Sequence, residues 1–238
     1  MSPVRLAANR WEMVIRPERG GRITSLRLDG EELLDQGIGV DQPTAYGFVE
    51  GGAFGWDEMV PNLEPTETLP DHGEAWRVPW EGVDRNTLRA RGRLVPWVLE
   101  RRIELDDAVS LSYVYTNDGE VPHRPFWCGH PLFKLTPDME LPVPMPEEGS
   151  SAKAYLAKGS TDSMRLRWGP TGIEVAWDRA LTPFVSVWVC NGDLGGYHHI
   201  AIEPATGGGD RPHLAVPPPL LAPGEKLDWW VEVRDARN

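Results

Sequence analysis

Apolar and polar positions alternate with a period of two through most of this chain, and that pattern predicts strands. Trp11–Arg16 reads as a strand. Arg22–Leu28 alternates, Asp29-Gly30 supplies a tight-turn signal and Glu31–Leu34 returns, which predicts a hairpin with a two-residue turn. Thr87–Leu94 sets Leu88, Ala90, Gly92 and Leu94 against Arg89, Arg91 and Arg93. Together with Trp97–Leu105 and Val109–Tyr115, which Asp106-Asp107 separates, it predicts an antiparallel meander. Phe133–Leu135, Met164–Trp168, Ile173–Trp177, Phe184–Val189, Ile200–Glu203 and Leu227–Val233 predict further strands. No stretch of helical periodicity exceeds two turns. Short strands separated by Gly, Pro and Asp turns imply an all-β sandwich or barrel. No linker divides the chain, so residues 1–238 read as one domain. Pro142–Gly149 and Ala205–Pro219 read as Pro/Gly-rich loops, the second either a mobile lid or a plain surface excursion.

Composition adds two constraints. The 238 residues include 23 prolines, which argue against long helices, and 11 tryptophans. A tryptophan is ordinarily core, but beside a polar loop it is also a surface on which the C–H face of a sugar stacks. A chain of this length buries a core without a disulfide or metal staple. The 24 Lys and Arg against 36 Asp and Glu give a net charge of −12. An acidic chain repels phosphate backbones and anionic membranes, so neither a nucleic-acid nor a membrane partner is expected. The basic runs Arg89–Arg93 and Arg101–Arg102 lie inside strand patterns and read as solvated strand faces. Cys128 and Cys190 have no zinc spacing and make no disulfide framework, which suggests a reducing compartment. The N-terminal residues lack an apolar signal-peptide core, and no apolar run approaches a membrane span. A cytoplasmic protein, monomer or homodimer, is the expectation.

Among the six histidines (His72, His123, His130, His198, His199 and His213), two fall in segments suited to chemistry. The first segment is Gly55–Asn62, followed by Leu69–Arg77, with Asp57, His72, Trp76 and Arg77. It reads either as a binding loop, with Asp57 and Arg77 on hydroxyls and Trp76 stacking, or as an irregular loop with capping acids. The second is Phe126–Phe133, in which Gly129 and Pro131 constrain the backbone of His130. Here His130 is either a preorganised acid or a satisfied core residue. The third is Ala201–Thr206, where Glu203 ends an apolar strand before Pro204, as a general base or as a carboxylate bonded to the next loop.

In this order the three segments resemble the aldose 1-epimerase (galactose mutarotase-like) family. Asp71-His72-Gly73 with Trp76-Arg77 is similar to that family's first His-Gly motif, after a Gly55–Asn62 stretch that also resembles it. Gly129-His130-Pro131-Leu132-Phe133 resembles the second motif, with Leu132 where an aromatic is common, and Ile202-Glu203-Pro204 the Glu-Pro motif. Gly20-Gly21-Arg22-Ile23 with Leu26 at the start, and Pro223-Gly224-Glu225 before Trp229-Trp230 at the end, extend the likeness over nearly the whole chain.

The resemblance implies a large antiparallel two-sheet sandwich with a sugar cleft, and interconversion of the α and β anomers of an aldose. It implies Glu203 as the base on the C1 hydroxyl, His130 as the acid on the ring oxygen and His72 in support. Arg77, Asp57, Trp76 and Asp162 are the candidates for holding the sugar. Such a proton shuttle requires no metal and no other cofactor. Arg77 and Lys134 could serve a sugar phosphate, but the net charge favours a neutral sugar. A non-catalytic carbohydrate-binding protein on the same fold is the alternative. A glycosidase, which needs two carboxylates flanking one bond, is disfavoured because Glu203 has no second carboxylate in the His130 motif.

Overall fold

Strands form at the predicted places, with Phe133–Leu135 displaced to Cys128–Lys134 and Thr87–Leu94 ending at Arg91, and they assemble into two antiparallel sheets in the computed structural model, which describes residues 2–210 and 216–237. Sixteen strands and one short helix follow one another among the described residues. They are β1 (Val4–Ala8), β2 (Trp11–Arg16), β3 (Arg22–Leu28), β4 (Glu31–Glu32), α1 (Phe48–Gly52), β5 (Trp56–Met59), β6 (Glu81–Gly82), β7 (Thr87–Arg91) and β8 (Trp97–Leu105). The second half adds β9 (Ala108–Asn117), β10 (Cys128–Lys134), β11 (Ser150–Tyr155), β12 (Ser163–Trp168), β13 (Thr171–Trp177), β14 (Phe184–Asn191), β15 (His198–Ala205) and β16 (Lys226–Asp235). Nine strands make one sheet in the order β1-β2-β3-β5-β10-β15-β14-β11, with β4 beside β3; seven make the other in the order β12-β13-β16-β9-β8-β7-β6. The expected hairpin and meander are both present, as β3-β4 and β7-β8-β9.

Alternation explains where each face goes. Ile200 and Ile202 of β15, with Val185, Val187 and Val189 of β14, share one cluster with Leu99 and Ile103 of β8 and Val231 and Val233 of β16. That cluster is the core between the sheets. The opposite face of the nine-stranded sheet carries a second cluster, with Met59, Cys128, Leu132, Cys190, Ala201 and Ala205, joined by Phe48 of α1, Trp76 and Tyr197. His130 lies in phase with Cys128 and Leu132, and His199 and Glu203 with Ala201 and Ala205. The polar residues of interest therefore project from this second face.

Two sequence expectations change. Gly55–Asn62 is not a loop: its Trp56–Met59 is a central strand, every residue of which is buried. A strand covered on both faces loses the alternation that marks a half-exposed one. Its acids resemble loop residues only until their partners are seen. Asp57 pairs with Arg22 at 2.7 Å and Glu58 with Arg101 at 2.8 Å, with none of the four side chains exposed. Arg101 accordingly lies in the core rather than on a solvated face. In β8 it is in phase with Leu99 and Ile103, which already places it inward. Both cysteines are buried free thiols. Among the described residues, no helix is long and apolar enough to cross a membrane. Residues 211–215 of the Ala205–Pro219 loop, including His213, lie outside the described residues.

Candidate active site

His130 and Glu203 face each other across neighbouring strands. They fall between the paired positions Cys128–Ala205 and Leu132–Ala201 of β10 and β15. Pro131 and Pro204 beside them have no amide proton for the ladder. Nε2 of His130 is 3.5 Å from Oε1 of Glu203. Neither Nδ1 of His130 nor Oε1 of Glu203 has a hydrogen-bond partner among the described residues. The other oxygen of Glu203 is fully engaged: Ser186 Oγ donates to Oε2 at 2.7 Å, and Lys153 Nζ lies 2.6 Å from it. Lys153 also contacts Asp210 at 2.7 Å.

His72 reaches the same place by a turn. His72 and Gly73 both have left-handed backbones, with φ of 56° and 69°. A Cβ on Gly73 would sit 2.2 Å from the Val60 carbonyl oxygen, so only glycine fits there. The turn stacks the His72 ring on Phe48, centroids 4.7 Å apart, and sets it edge-on to His130 at 5.5 Å. Asp71 anchors the arrangement: one carboxylate oxygen lies 2.9 Å from His72 Nδ1 and the other accepts the Phe48 amide at 2.8 Å. A third imidazole, His199 of β15, is fixed by Asp35, with Nδ1 3.1 Å from the carboxylate.

These groups line a cavity of about 230 Å³ whose walls include Phe48, His72, His130, Lys153, Trp188, His199, Glu203 and Asp210. Drug-sized ligands occupy pockets of about 300–1,000 Å³, so this one suits a single small ring. Phe48 and Trp188 give it apolar faces and the histidines and acids give it polar ones.

The electrostatics follow from burial and neighbours. Burial first, then the His72, Lys153 and His199 charges, hold His130 well below the usual imidazole range. The free site therefore keeps it neutral at neutral pH. Burial works against the Lys153 charge, but Glu203 and Asp210 outweigh it and hold the ammonium well above its ordinary range. Burial also tends to raise the Asp71 carboxyl, yet the His72 contact and the Phe48 amide bring it below its ordinary value.

The structure brings His72, His130 and Glu203 together and leaves the other four candidates elsewhere. Asp57 is consumed by Arg22, whose guanidinium carbon lies 6.0 Å from the Phe48 ring centroid. Trp76 is wholly buried, edge-on to Phe48 at 5.3 Å, and supports the cavity wall without facing it. Arg77 covers Trp76 at 4.4 Å and donates to the Tyr46 carbonyl oxygen at 2.5 Å, in a separate surface hollow. Asp162 leads into β12 in the seven-stranded sheet, beside Trp177 and Arg179. Lys134 is paired with Glu31 at 2.7 Å, away from the cavity. Conversely, Lys153, Asp210, His199, Asp35, Phe48 and Trp188 were not among the sequence candidates. Lys153 lies on β11, a half-exposed edge strand without clean alternation. The best signal for His199 was its phase with Glu203.

No protein-family model matches the sequence, and a search of the curated proteins finds no match. Solved structures do match. The Slr1438 protein from Synechocystis sp. PCC 6803 aligns with a TM-score of 0.75 at 16% identity, over 100% of this chain and 96% of that one. A galactose mutarotase-like protein from Lactobacillus casei aligns at 0.72 and 16% identity, over 99% and 100%. A galactose mutarotase related enzyme from Lactobacillus acidophilus aligns at 0.68 and 15% identity, over 99% and 97%. At these identities what is shared is the backbone, and it is shared end to end: this chain has the galactose mutarotase-like fold.

Proposed function

We propose that residues 1–238 act as one domain that interconverts the α and β anomers of an aldose, with Glu203 as base, His130 as acid and His72 in support. The observation that carries this reading is the 3.5 Å separation of His130 Nε2 and Glu203 Oε1, with that Glu203 oxygen free of a hydrogen bond among the described residues, in a cavity sized for one ring. The C1 hydroxyl and ring oxygens of a cyclic sugar sit on one carbon, about 2.3 Å apart, so two groups at this spacing can each reach one of them within hydrogen-bond distance.

In the working form His130 is an imidazolium, a fraction that burial keeps small at neutral pH and that grows as pH falls. Glu203 takes the C1 hydroxyl proton while His130 gives its proton to the ring oxygen. The bond from C1 to that oxygen breaks and C1 becomes a carbonyl. Rotation about C1–C2 presents the other carbonyl face. Reclosure then returns one proton from Glu203 to the C1 oxygen and the other from the ring hydroxyl to His130. Both groups end as they began. His72, aligned by Asp71, steadies the ring-oxygen side, and His199, aligned by Asp35, is placed to bind a hydroxyl.

The lining favours a neutral sugar. Its cation, Lys153, is already shared by two carboxylates, and Arg77 and Lys134 lie outside the cavity. The test is exchange spectroscopy or polarimetry on a panel of free aldoses and sugar phosphates. Acceleration of a free aldose, lost about 10²-fold or more in Glu203→Gln, is the expected result. A Glu203→Gln variant as fast as the parent would sink the mechanism. Sugar binding without any acceleration would move the assignment to a carbohydrate-binding protein on this fold.

A further inference from the structure

A carboxylate buried in an apolar strand needs compensation, because removing its charge from water costs several kcal/mol. Glu203 is 1% exposed, and its compensation comes from two strands away. Lys153 of the edge strand β11 stretches across β14 to reach it. Ser186, which pairs with Glu203 in the β14–β15 ladder, donates to the same oxygen. The result is an asymmetric clamp: Oε2 is tied by two groups and Oε1 is left toward His130.

An ammonium paired only with Glu203 would oppose the reaction. Each time Glu203 took a proton, the pair would lose its anion and leave a buried cation alone. Asp210 removes that difficulty. Its contact with Lys153, at 2.7 Å, matches the 2.6 Å contact with Glu203, and its side chain is itself largely covered, at 15% exposure. Tyr155 holds Asp210 in place by donating to the same carboxylate oxygen at 2.9 Å.

We propose that Lys153 is a positioning residue for Glu203, and that Asp210 is the second counter-ion that keeps Lys153 paired while Glu203 carries a proton. This rests on the reading of Glu203 as the base. Lys153 acts on both members of the pair, since its charge also faces His130, together with the charges of His72, His199 and Glu203.

The test uses Lys153→Met, Lys153→Arg and Asp210→Asn in the full chain. Two readouts are needed: anomer-exchange kinetics with the sugar that the parent accelerates, and NMR titration of His130. Lys153→Met should lower kcat about tenfold or more with a smaller change in KM, and move the His130 titration to higher pH. Lys153→Arg should recover most of both. Asp210→Asn should lower kcat while the His130 titration shows the Lys153 charge still in place. An unmoved titration with parental kcat in Lys153→Met overturns the positioning role, and parental kcat in Asp210→Asn overturns the counter-ion role. If Lys153→Met does not fold, Lys153→Gln removes the same charge, and parental kcat with an unmoved His130 titration in that variant overturns the positioning role. A parent protein without exchange activity would instead fail the Glu203 reading, and the His130 titration would still report whether Lys153 acts on the pair.

Discussion

Replacing Arg101 by methionine should destabilise this protein far more than its surface arginines would suggest. Arg101 donates to Glu58 at 2.8 Å across the core, from the seven-stranded sheet to the central strand β5. Glu58 also accepts from Tyr113 Oη at 3.0 Å and Trp127 Nε1 at 2.8 Å. Removing one partner of a wholly buried pair costs about 3–5 kcal/mol, because the other charge is left uncompensated. The two neutral donors survive the change, so the low end of that range is expected. Against a total stability of about 5–15 kcal/mol, that is a large fraction.

The cost should also depend on pH. Burial already holds the Glu58 carboxyl above the ordinary carboxylate range with Arg101 beside it, and without Arg101 it moves further up. A carboxyl raised in the folded state binds its proton more tightly there than in the unfolded chain. Stability therefore falls as pH rises from the unfolded pKa to the folded one, by at most about 1.4 kcal/mol per pH unit. The deficit of Arg101→Met should be smallest near pH 5 and largest near pH 8. Urea unfolding followed by the fluorescence of the 11 tryptophans measures it. A second methionine at Glu58 should recover part of the loss. A pH-independent cost below about 1 kcal/mol would refute the buried-pair reasoning.

Three further predictions follow from the site. Because burial and its neighbours hold His130 below the ordinary imidazole range, the fraction protonated rises as pH falls, so kcat/KM for anomer exchange should climb from pH 8 toward pH 6; a flat pH–rate profile would contradict the acid assignment. Gly73→Ala forces a Cβ to within 2.2 Å of the Val60 oxygen at positive φ, and should cost about 1–3 kcal/mol by thermal unfolding while displacing His72; an unchanged melting temperature would show that the turn is not constrained as described. Burial first, then the Glu203 charge, raises the Cys128 thiol well above its ordinary range, and burial pushes the Cys190 thiol to about 11, so both should resist a thiol reagent at pH 8 until the chain unfolds; rapid labelling of the folded protein would contradict this.

What the chain determined by itself is its all-β character and the strands with one covered and one open face, since alternation is a local property that each six- or seven-residue stretch carries alone. The order of Asp71-His72-Gly73, Gly129-His130-Pro131 and Ile202-Glu203-Pro204 was equally legible, because the turns and prolines that constrain those side chains are their sequence neighbours. The alternation of β8 even pointed Arg101 inward, against the expectation set by its charge. Tertiary structure alone decided the rest, for one physical reason: a buried charge is defined by its partner, and partners here come from distant strands. Asp57 and Trp76 look like binding residues until Arg22 and Phe48 are seen against them. Glu203 looks isolated until Lys153 reaches it from β11, itself held by Asp210 from beyond β15. The period-two pattern says which face each residue takes, but only the strand order of the assembled sheet says which charges meet there.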